Sequence, residues 1–212
     1  MKKHIVLLFG IFLFSIINTH SVKSETAICE PDCPGTPFII QYPLSLDFQI
    51  GPCRYKVNYY IKSACNIWCD ILIWSVKSYD PPPCGTMEPN TILNIAAAQI
   101  IQYFVNNPSE WYNITGQLPC IPTEIGGCNT FWRVSKAACW KFDIYTNFNT
   151  NEPPSSSNYY GTYGYCYYDI CCLTWYKVCM DQFGQIIVTE VESHSTSNCP
   201  YDPSGSCKQV CD

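Results

Sequence analysis

Apolar and polar residues alternate along several stretches of this chain, and a two-residue period predicts β-strands. The clearest stretch is 54–62, where Tyr, Val and Ile residues fall on one face and the Arg, Lys and Asn residues fall on the other. Residues 71–77 follow after a short connection and are predicted to form its antiparallel partner. Residues 173–180 and 185–193 predict a second hairpin across the turn at 181–184.

One segment, 91–106, has the 3.6-residue period of an α-helix instead. Its apolar stripe consists of Leu93, Ala97, Ile100 and Phe104. Asn90 is a suitable N-cap residue, and Pro108 predicts the end of the helix because proline interrupts helical hydrogen bonding. A helix of this length is about 24 Å long, enough to lie across a small sheet. The chain is therefore predicted to have a mainly β fold, antiparallel and rich in hairpins, with one amphipathic helix near 91–106.

Turn-forming residues divide the chain at 107–127, a segment rich in Pro and Gly. We predict a single domain over residues 25–212, with 25–119 and 120–212 as possible subdomains. A second polar segment, 147–158, contains Asn, Pro and Ser and almost no core-forming residue. It predicts a loop that leads into the tyrosine-rich part of the chain.

The first 24 residues have the three parts of a secretory signal peptide. Lys2 and Lys3 form a basic start, residues 5–17 are apolar, and small residues precede Glu25. The apolar run is shorter than the roughly 20 residues that a membrane-spanning helix needs. We therefore expect a signal peptide over 1–24, no transmembrane segment after its cleavage, and a secreted protein, or a periplasmic one in a Gram-negative host.

All sixteen cysteines follow the predicted signal peptide, and an even number in a secreted chain predicts disulfide bonds. The vicinal residues Cys171 and Cys172 are expected to bond to different partners, because neighbouring side chains on a strand point to opposite faces. Metal sites are not predicted, since the mature chain has a single histidine and no paired C-x-x-C motifs. The predicted disulfide cysteines are Cys29, Cys33, Cys53, Cys65, Cys69, Cys84, Cys120, Cys128, Cys139, Cys166, Cys171, Cys172, Cys179, Cys199, Cys207 and Cys211.

The charge of the chain excludes two classes of partner. The formal net charge is −5 at pH 7, and three of the twelve basic residues belong to the predicted signal peptide. Nucleic acids and anionic membranes both require clustered Lys and Arg, and no such cluster is present. We expect no nucleic-acid partner.

Candidate catalytic residues are few and do not form a known motif. His194 is the one histidine of the mature chain, and no serine lies in a nucleophile-elbow sequence. Asp70, Asp143 and Asp169 lie in or beside aromatic segments, but nothing in their spacing pairs them as a glycosidase requires. The protein is predicted not to be an enzyme and to need no cofactor, with a secreted hydrolase as the least favoured alternative.

The tyrosine-rich segment 158–179 is the candidate contact surface. Tyrosine provides a large rigid ring and a hydroxyl at low entropic cost, and interleaved Gly allows a loop to adapt. We predict a binding or adhesion protein that contacts a glycan or a protein surface through this loop. Two alternatives remain open: the tyrosines pack into a core, or they stack in a structural protein that assembles into a layer, matrix or filament. The predicted binding residues are Tyr159, Tyr160, Tyr163, Tyr165, Tyr167 and Tyr168.

Overall fold

A computed structural model describes residue 38 and residues 43–145 and 159–211, with the side chains of 168 and 169 excepted. The described chain forms seven strands and two α-helices. In chain order they are β1 Leu44–Ile50, β2 Cys53–Ala64, β3 Trp68–Ser78, α1 Pro89–Asn106, α2 Pro108–Thr115, β4 Cys128–Ile144, β5 Gly161–Met180, β6 Ile186–Ser195 and β7 Lys208–Gln209. The predicted signal peptide and the predicted loop at 147–158 lie outside the described residues.

One curled sheet contains all the strands, in the order β1-β2-β3-β4-β5-β6, with β7 beside β4. The neighbours pair antiparallel except for β3 and β4, which are parallel. A parallel pair needs a long crossover, and α1 and α2 lie in that connection. The predicted mainly antiparallel fold is confirmed, as are the hairpins formed by β2 with β3 and by β5 with β6.

The core lies between one face of this sheet and the helices. The alternation along β2 places Tyr55, Val57, Tyr59 and Ile61 in the core, each at most 2% exposed. The predicted apolar stripe of α1 packs in the same core and is also buried. Each such side chain contributes roughly 1.5–3 kcal/mol by leaving water, which makes this face the main source of stability.

The structure has a second helix that the sequence pattern did not predict. α1 ends just before Pro108, as predicted, and Pro108 also occupies the first turn of α2, where proline has no hydrogen bond to lose. Trp111 of α2 is fully buried, and its ring lies 5.1 Å from the ring of Phe104 and 5.1 Å from that of Trp132. The predicted N-cap is also wrong, because α1 begins at Pro89 and Asn90 is already inside it.

Disulfide bonds connect distant parts of the sheet, as the cysteine content predicted. Cys65 and Cys171 are also disulfide-bonded, whereas Cys29 and Cys33 lie outside the described residues. Cys172 bonds to Cys211, so the vicinal cysteines have different partners, as expected. The six bonds between described cysteines are Cys53–Cys84, Cys69–Cys120, Cys128–Cys179, Cys139–Cys199, Cys166–Cys207 and Cys172–Cys211.

Candidate functional site

The tyrosine-rich segment is a strand and not the loop that we predicted. Its first residues, 161–163, pair with 76–78 of β3 and with 142–144 of β4. The tyrosines at 163, 165 and 167 alternate with the two-residue period of a strand, and aromatic residues favour strands. The segment forms a strand because its backbone hydrogen-bonds to both β3 and β4. A loop outside the sheet would have no such partners.

Two of the predicted binding tyrosines are buried. Tyr163 is inaccessible to solvent, its hydroxyl donates to the Met87 carbonyl at 2.9 Å, and burial raises the pKa of that hydroxyl above its usual value. Tyr159 is 5% exposed; its ring lies 4.7 Å from the ring of Tyr79 and 4.6 Å from the Lys77 ammonium. Both side chains stabilise the fold through these contacts.

The other described tyrosines are half-buried and point to different neighbours. Tyr160 stacks on Phe142, and Tyr165 packs edge-on against Trp74 at 5.2 Å. Tyr167 packs in a small cluster that includes disulfide cysteines, and the side chain of Tyr168 is outside the described residues. Whether the exposed parts of these tyrosines bind a partner stays a prediction.

The candidate catalytic carboxylates lie apart. Asp70 of β3 is fully buried, and its two oxygens accept hydrogen bonds of 2.7 and 2.8 Å from Arg133. Asp143 is exposed at the far end of β4 and pairs with Lys141 at 3.1 Å. His194 is exposed on β6, near Glu192. The side chain of Asp169 lies outside the described residues.

Apolar side chains instead converge at one end of the sheet. At this end β2 and β5 finish and β3, β4 and β6 begin, because Ala64 pairs with Trp68, Cys69 with Trp132, and Cys128 with Cys179. The connections 65–67, 116–127 and 181–185, together with the start of β4, form what we call the apolar loop end. Its exposed large side chains are Ile67 (53%), Leu118 (70%), Ile125 (67%), Phe131 (45%) and Phe183 (77%).

Covalent and hydrogen bonds hold the first two of these connections together. The Cys69–Cys120 disulfide attaches residues 116–127 to the start of β3. The Gln117 side-chain amide donates to Asn66 Oδ1 at 3.2 Å, which joins the connection to the β2–β3 turn. The disulfide and the hydrogen bond therefore hold in place the two connections that carry these exposed apolar residues.

The third connection is supported in the same way. The backbone N–H of Gly126 donates to the Met180 carbonyl at 2.7 Å, which joins 116–127 to the end of β5. Within the turn, one carboxylate oxygen of Asp181 accepts from the backbone N–H groups of Phe183 and Gln185, each at 2.8 Å. Phe183 thus projects from a turn that is closed by its own hydrogen bonds.

A pocket of about 260 Å³ opens in the apolar loop end, beside the Cys69–Cys120 disulfide. The rings of Trp68 and Phe131 meet edge-to-face in its wall, with their centres 6.0 Å apart. The full lining consists of Ser63, Asn66, Ile67, Trp68, Cys69, Gln117, Leu118, Pro119, Cys120 and Phe131.

The polar groups of the pocket are few, and most are already bonded. Ser63 Oγ accepts from the indole N–H of Trp111 at 3.1 Å, and the two side-chain amides of Asn66 and Gln117 bond to each other. No charged residue lines the pocket. Across the three connections, the charged residues are Glu124 and Asp181, and neither lines the pocket. The pocket therefore presents mainly apolar surface to a ligand, with a few uncharged hydrogen-bonding groups.

Sequence patterns gave no sign of this surface. Ile67, Leu118, Ile125 and Phe183 lie scattered over three connections of the chain, where an isolated exposed apolar residue is normal. The antiparallel pairing of β4 with β5 brings the 181–185 turn to this end, and the other two connections are brought together by the parallel pairing of β3 with β4. That pairing spans about sixty residues of chain and leaves no local signature.

Comparison with family models, with curated proteins and with solved structures finds no match to this chain. No relative therefore suggests a ligand or an activity for it. None of the described helices is both long enough and apolar enough to cross a membrane.

Proposed function

We propose that this protein is a secreted, non-enzymatic binding protein that contacts a protein partner through the apolar loop end. The observation that carries the proposal is the convergence of five exposed large apolar side chains on supported connections at one end of the sheet. Exposed apolar side chains gathered at one end of a sheet are typical of an interaction site, because leaving them in water costs free energy that a partner recovers.

The side chains favour a protein partner over a glycan. The exposed large apolar side chains at this end are aliphatic or are Phe, and they offer no hydrogen bond to a sugar hydroxyl. A sugar pressed against them would lose water from its hydroxyls without replacement, at a cost of about 1–3 kcal/mol for each unpaired group. Apolar side chains of a protein carry no such cost.

The disulfides support the proposed location and the way the surface works. Six of them join described cysteines, which suits an extracellular or otherwise oxidising compartment. The Cys69–Cys120 bond holds the largest connection in place before any partner arrives. A preorganised surface loses less entropy on binding, which strengthens the complex.

Self-association is the second candidate, and β6 is the observation that favours it. β6 lies at the end of the described strand order, and it exposes Ile187 (50%) and Val191 (55%). An edge strand with exposed β-branched residues can pair with a second copy of the chain. A structural layer or filament would use such pairing, whereas a binding protein would remain monomeric.

Two arrays and one pair of variants test the proposal. The disulfide-intact chain is applied to an array of extracellular proteins and to an array of glycans, beside Leu118→Asn/Ile125→Asn and the control Tyr201→Ser. Tyr201 is 88% exposed and lies outside the apolar loop end. Tyr201→Ser therefore removes a large exposed side chain from elsewhere on the surface. We expect binding to protein spots that the double variant loses and the control keeps.

Binding to glycan spots alone, or binding that the double variant retains, would overturn the proposal. Sedimentation of the same three proteins examines the second candidate. Large particles that disappear in Val191→Lys would favour assembly through β6, and a monomer at high concentration would exclude it.

A further inference from the structure

Asn113 lies in the only acceptor motif for N-linked glycosylation in the sequence. Asn113-Ile114-Thr115 has the required form, in which Thr stands two residues after Asn and the residue between them is not Pro. Asn107 also has a hydroxyl residue two positions later, but the intervening Pro108 excludes it. We propose that a glycan is attached to Asn113 as the chain is secreted. This inference rests on the secreted location in the proposed function and goes beyond the partner contact.

The α2 helix directs the Asn113 side chain away from the core. Trp111 of this helix is fully buried. Each residue of an α-helix is rotated by about 100° from the one before it, so Asn113, two residues later, is rotated by about 200° and lies on the opposite face. Ser109 and Glu110, four and three positions earlier on that face, are exposed, as is Asn113 itself. The amide that would carry the glycan therefore faces solvent.

The side-chain amide of Asn113 is not used to hold the fold together. No hydrogen bond within the described part of the chain involves it. By contrast, the amides of Asn94, Asn107 and Asn129 donate hydrogen bonds of 2.7, 2.8 and 2.9 Å to other residues. A bulky sugar on one of those nitrogens would crowd its acceptor, whereas a sugar on Asn113 disturbs no such bond. The folded protein can therefore accommodate a glycan at this position.

Thr115 supplies the hydroxyl that the acceptor motif requires. In the folded helix this hydroxyl donates to the Trp111 carbonyl at 2.9 Å, so the motif is available to a transferase before α2 forms. The second substrate is an oligosaccharide carried on a lipid pyrophosphate. Asn113 Nδ2 forms a bond to C1 of the first sugar, the bond from C1 to the pyrophosphate oxygen breaks, the amide loses a proton, and the lipid pyrophosphate leaves.

Intact-mass measurement of the protein from the cells that naturally produce it tests the inference. The wild-type protein is measured before and after treatment with an amidase that releases Asn-linked glycans and leaves an aspartate that peptide mapping locates. In the same cells, Asn113→Gln and Thr115→Val remove the motif, whereas Thr115→Ser and Asn106→Gln keep it. Asn106 is the matched control, because it is also an exposed helical Asn but has Pro two residues later. Thermal unfolding confirms that each variant folds.

We expect the wild-type protein, Thr115→Ser and Asn106→Gln to carry a glycan that the amidase removes. Asn113→Gln and Thr115→Val should have the mass of the bare polypeptide. A wild-type chain without a glycan, or a glycan that persists in Asn113→Gln, would overturn the inference. The wild-type mass and its peptide map decide the question even where a variant folds poorly.

The glycan and the proposed function fail separately. If the mature chain binds the protein spots on the array but carries no glycan, the proposed function stands and the inference is overturned. If the chain is glycosylated at Asn113 but retains no protein on the array, the inference is supported and the proposed partner contact fails. A chain that keeps residues 1–24 and carries no glycan would contradict both the secreted location and the inference.

Discussion

Arg133 and Asp70 form a two-point ion pair across the parallel strands β3 and β4. Two guanidinium nitrogens lie 2.7 and 2.8 Å from the two carboxylate oxygens, and the guanidinium carbon lies 4.4 Å from the centre of the Trp68 ring. The two residues are also register partners in the sheet. This pair fixes the relative position of the two strands, and Trp68 of β3 and Phe131 of β4 lie in the wall of the pocket.

Removal of one partner should therefore be costly. Asp70→Asn leaves the Arg133 charge buried without a counter-charge, and we expect a loss of about 3–5 kcal/mol in the free energy of unfolding. Urea denaturation measures it. Asp143→Asn, an exposed carboxylate on β4, is the control and should change stability by less than about 0.5 kcal/mol. Equal effects of the two substitutions would contradict the role of the buried pair.

Lys136 should make stability depend on pH. It is 1% exposed, its ammonium donates to Asn94 Oδ1 at 2.9 Å, and burial lowers its pKa to about 8, an effect that nearby Glu190 only partly offsets. The unfolded chain binds a proton on this group below about pH 10.4, whereas the folded chain binds it only below about pH 8. This group therefore adds stability as pH rises through that window, and the stability is lost again as pH falls.

The substitution Lys136→Met tests this dependence. The variant should be more stable than the wild-type protein at pH 7, by roughly 3 kcal/mol at most, and the difference should shrink between pH 8 and pH 10. Asn94 Oδ1 keeps the Tyr176 hydroxyl as a neighbour at 3.4 Å, so it is not stranded. Urea denaturation at several pH values measures the effect. A stability difference that stays constant between pH 8 and pH 10 would show that folding does not lower the pKa of Lys136.

The Cys69–Cys120 disulfide should support the loop end more than the core. Replacing both cysteines with Ala is expected to cost about 2–5 kcal/mol and to speed amide hydrogen exchange over residues 116–127. Cys53→Ala/Cys84→Ala is the control, because that bond attaches a different connection to β2. It should lower stability without a selective change at 116–127. Faster exchange there in both variants would indicate a general loss of stability.

Tyr163 should act through its hydroxyl as well as its ring. Tyr163→Phe removes the donor to the Met87 carbonyl and should cost about 0.5–1.5 kcal/mol. Tyr163→Ala also leaves a cavity and should cost about 3–5 kcal/mol, the usual range for a large buried aromatic side chain. Tyr201→Phe, at an exposed position, should be neutral. Thermal and urea unfolding give all three changes in the free energy of unfolding. If Tyr163→Phe leaves the stability unchanged, the hydroxyl does not contribute to it.

Local patterns predicted those parts of the fold in which a period decides the structure. The alternation along β2 fixed which side chains face the core, and the stripe of α1 fixed the face that packs on the sheet. Both depend on contacts within a strand or a helix turn, which a sequence displays directly. The same patterns missed α2, because proline is found both after the end of a helix and in the first turn of a helix. Pro108 has both positions.

Local sequence patterns did not predict the apolar loop end, because its residues are distant in sequence. Tyrosines close together in sequence suggested a surface, yet Tyr159 is buried against Tyr79 and Lys77, and Tyr163 is buried on β5. Ile67 and Phe183 are more than one hundred residues apart, and the sheet topology places both at one end. Long-range pairing decides exposure, and composition alone does not encode it.

Hydrogen–deuterium exchange locates the contact surface most directly. The wild-type protein is measured alone and with the protein that binds it most strongly on the extracellular-protein array. We expect slower exchange at 65–67, 116–127 and 181–185, with little change along β6 or at the tyrosines of β5. Slower exchange confined to β5 or β6, with those three connections unaffected, would contradict it.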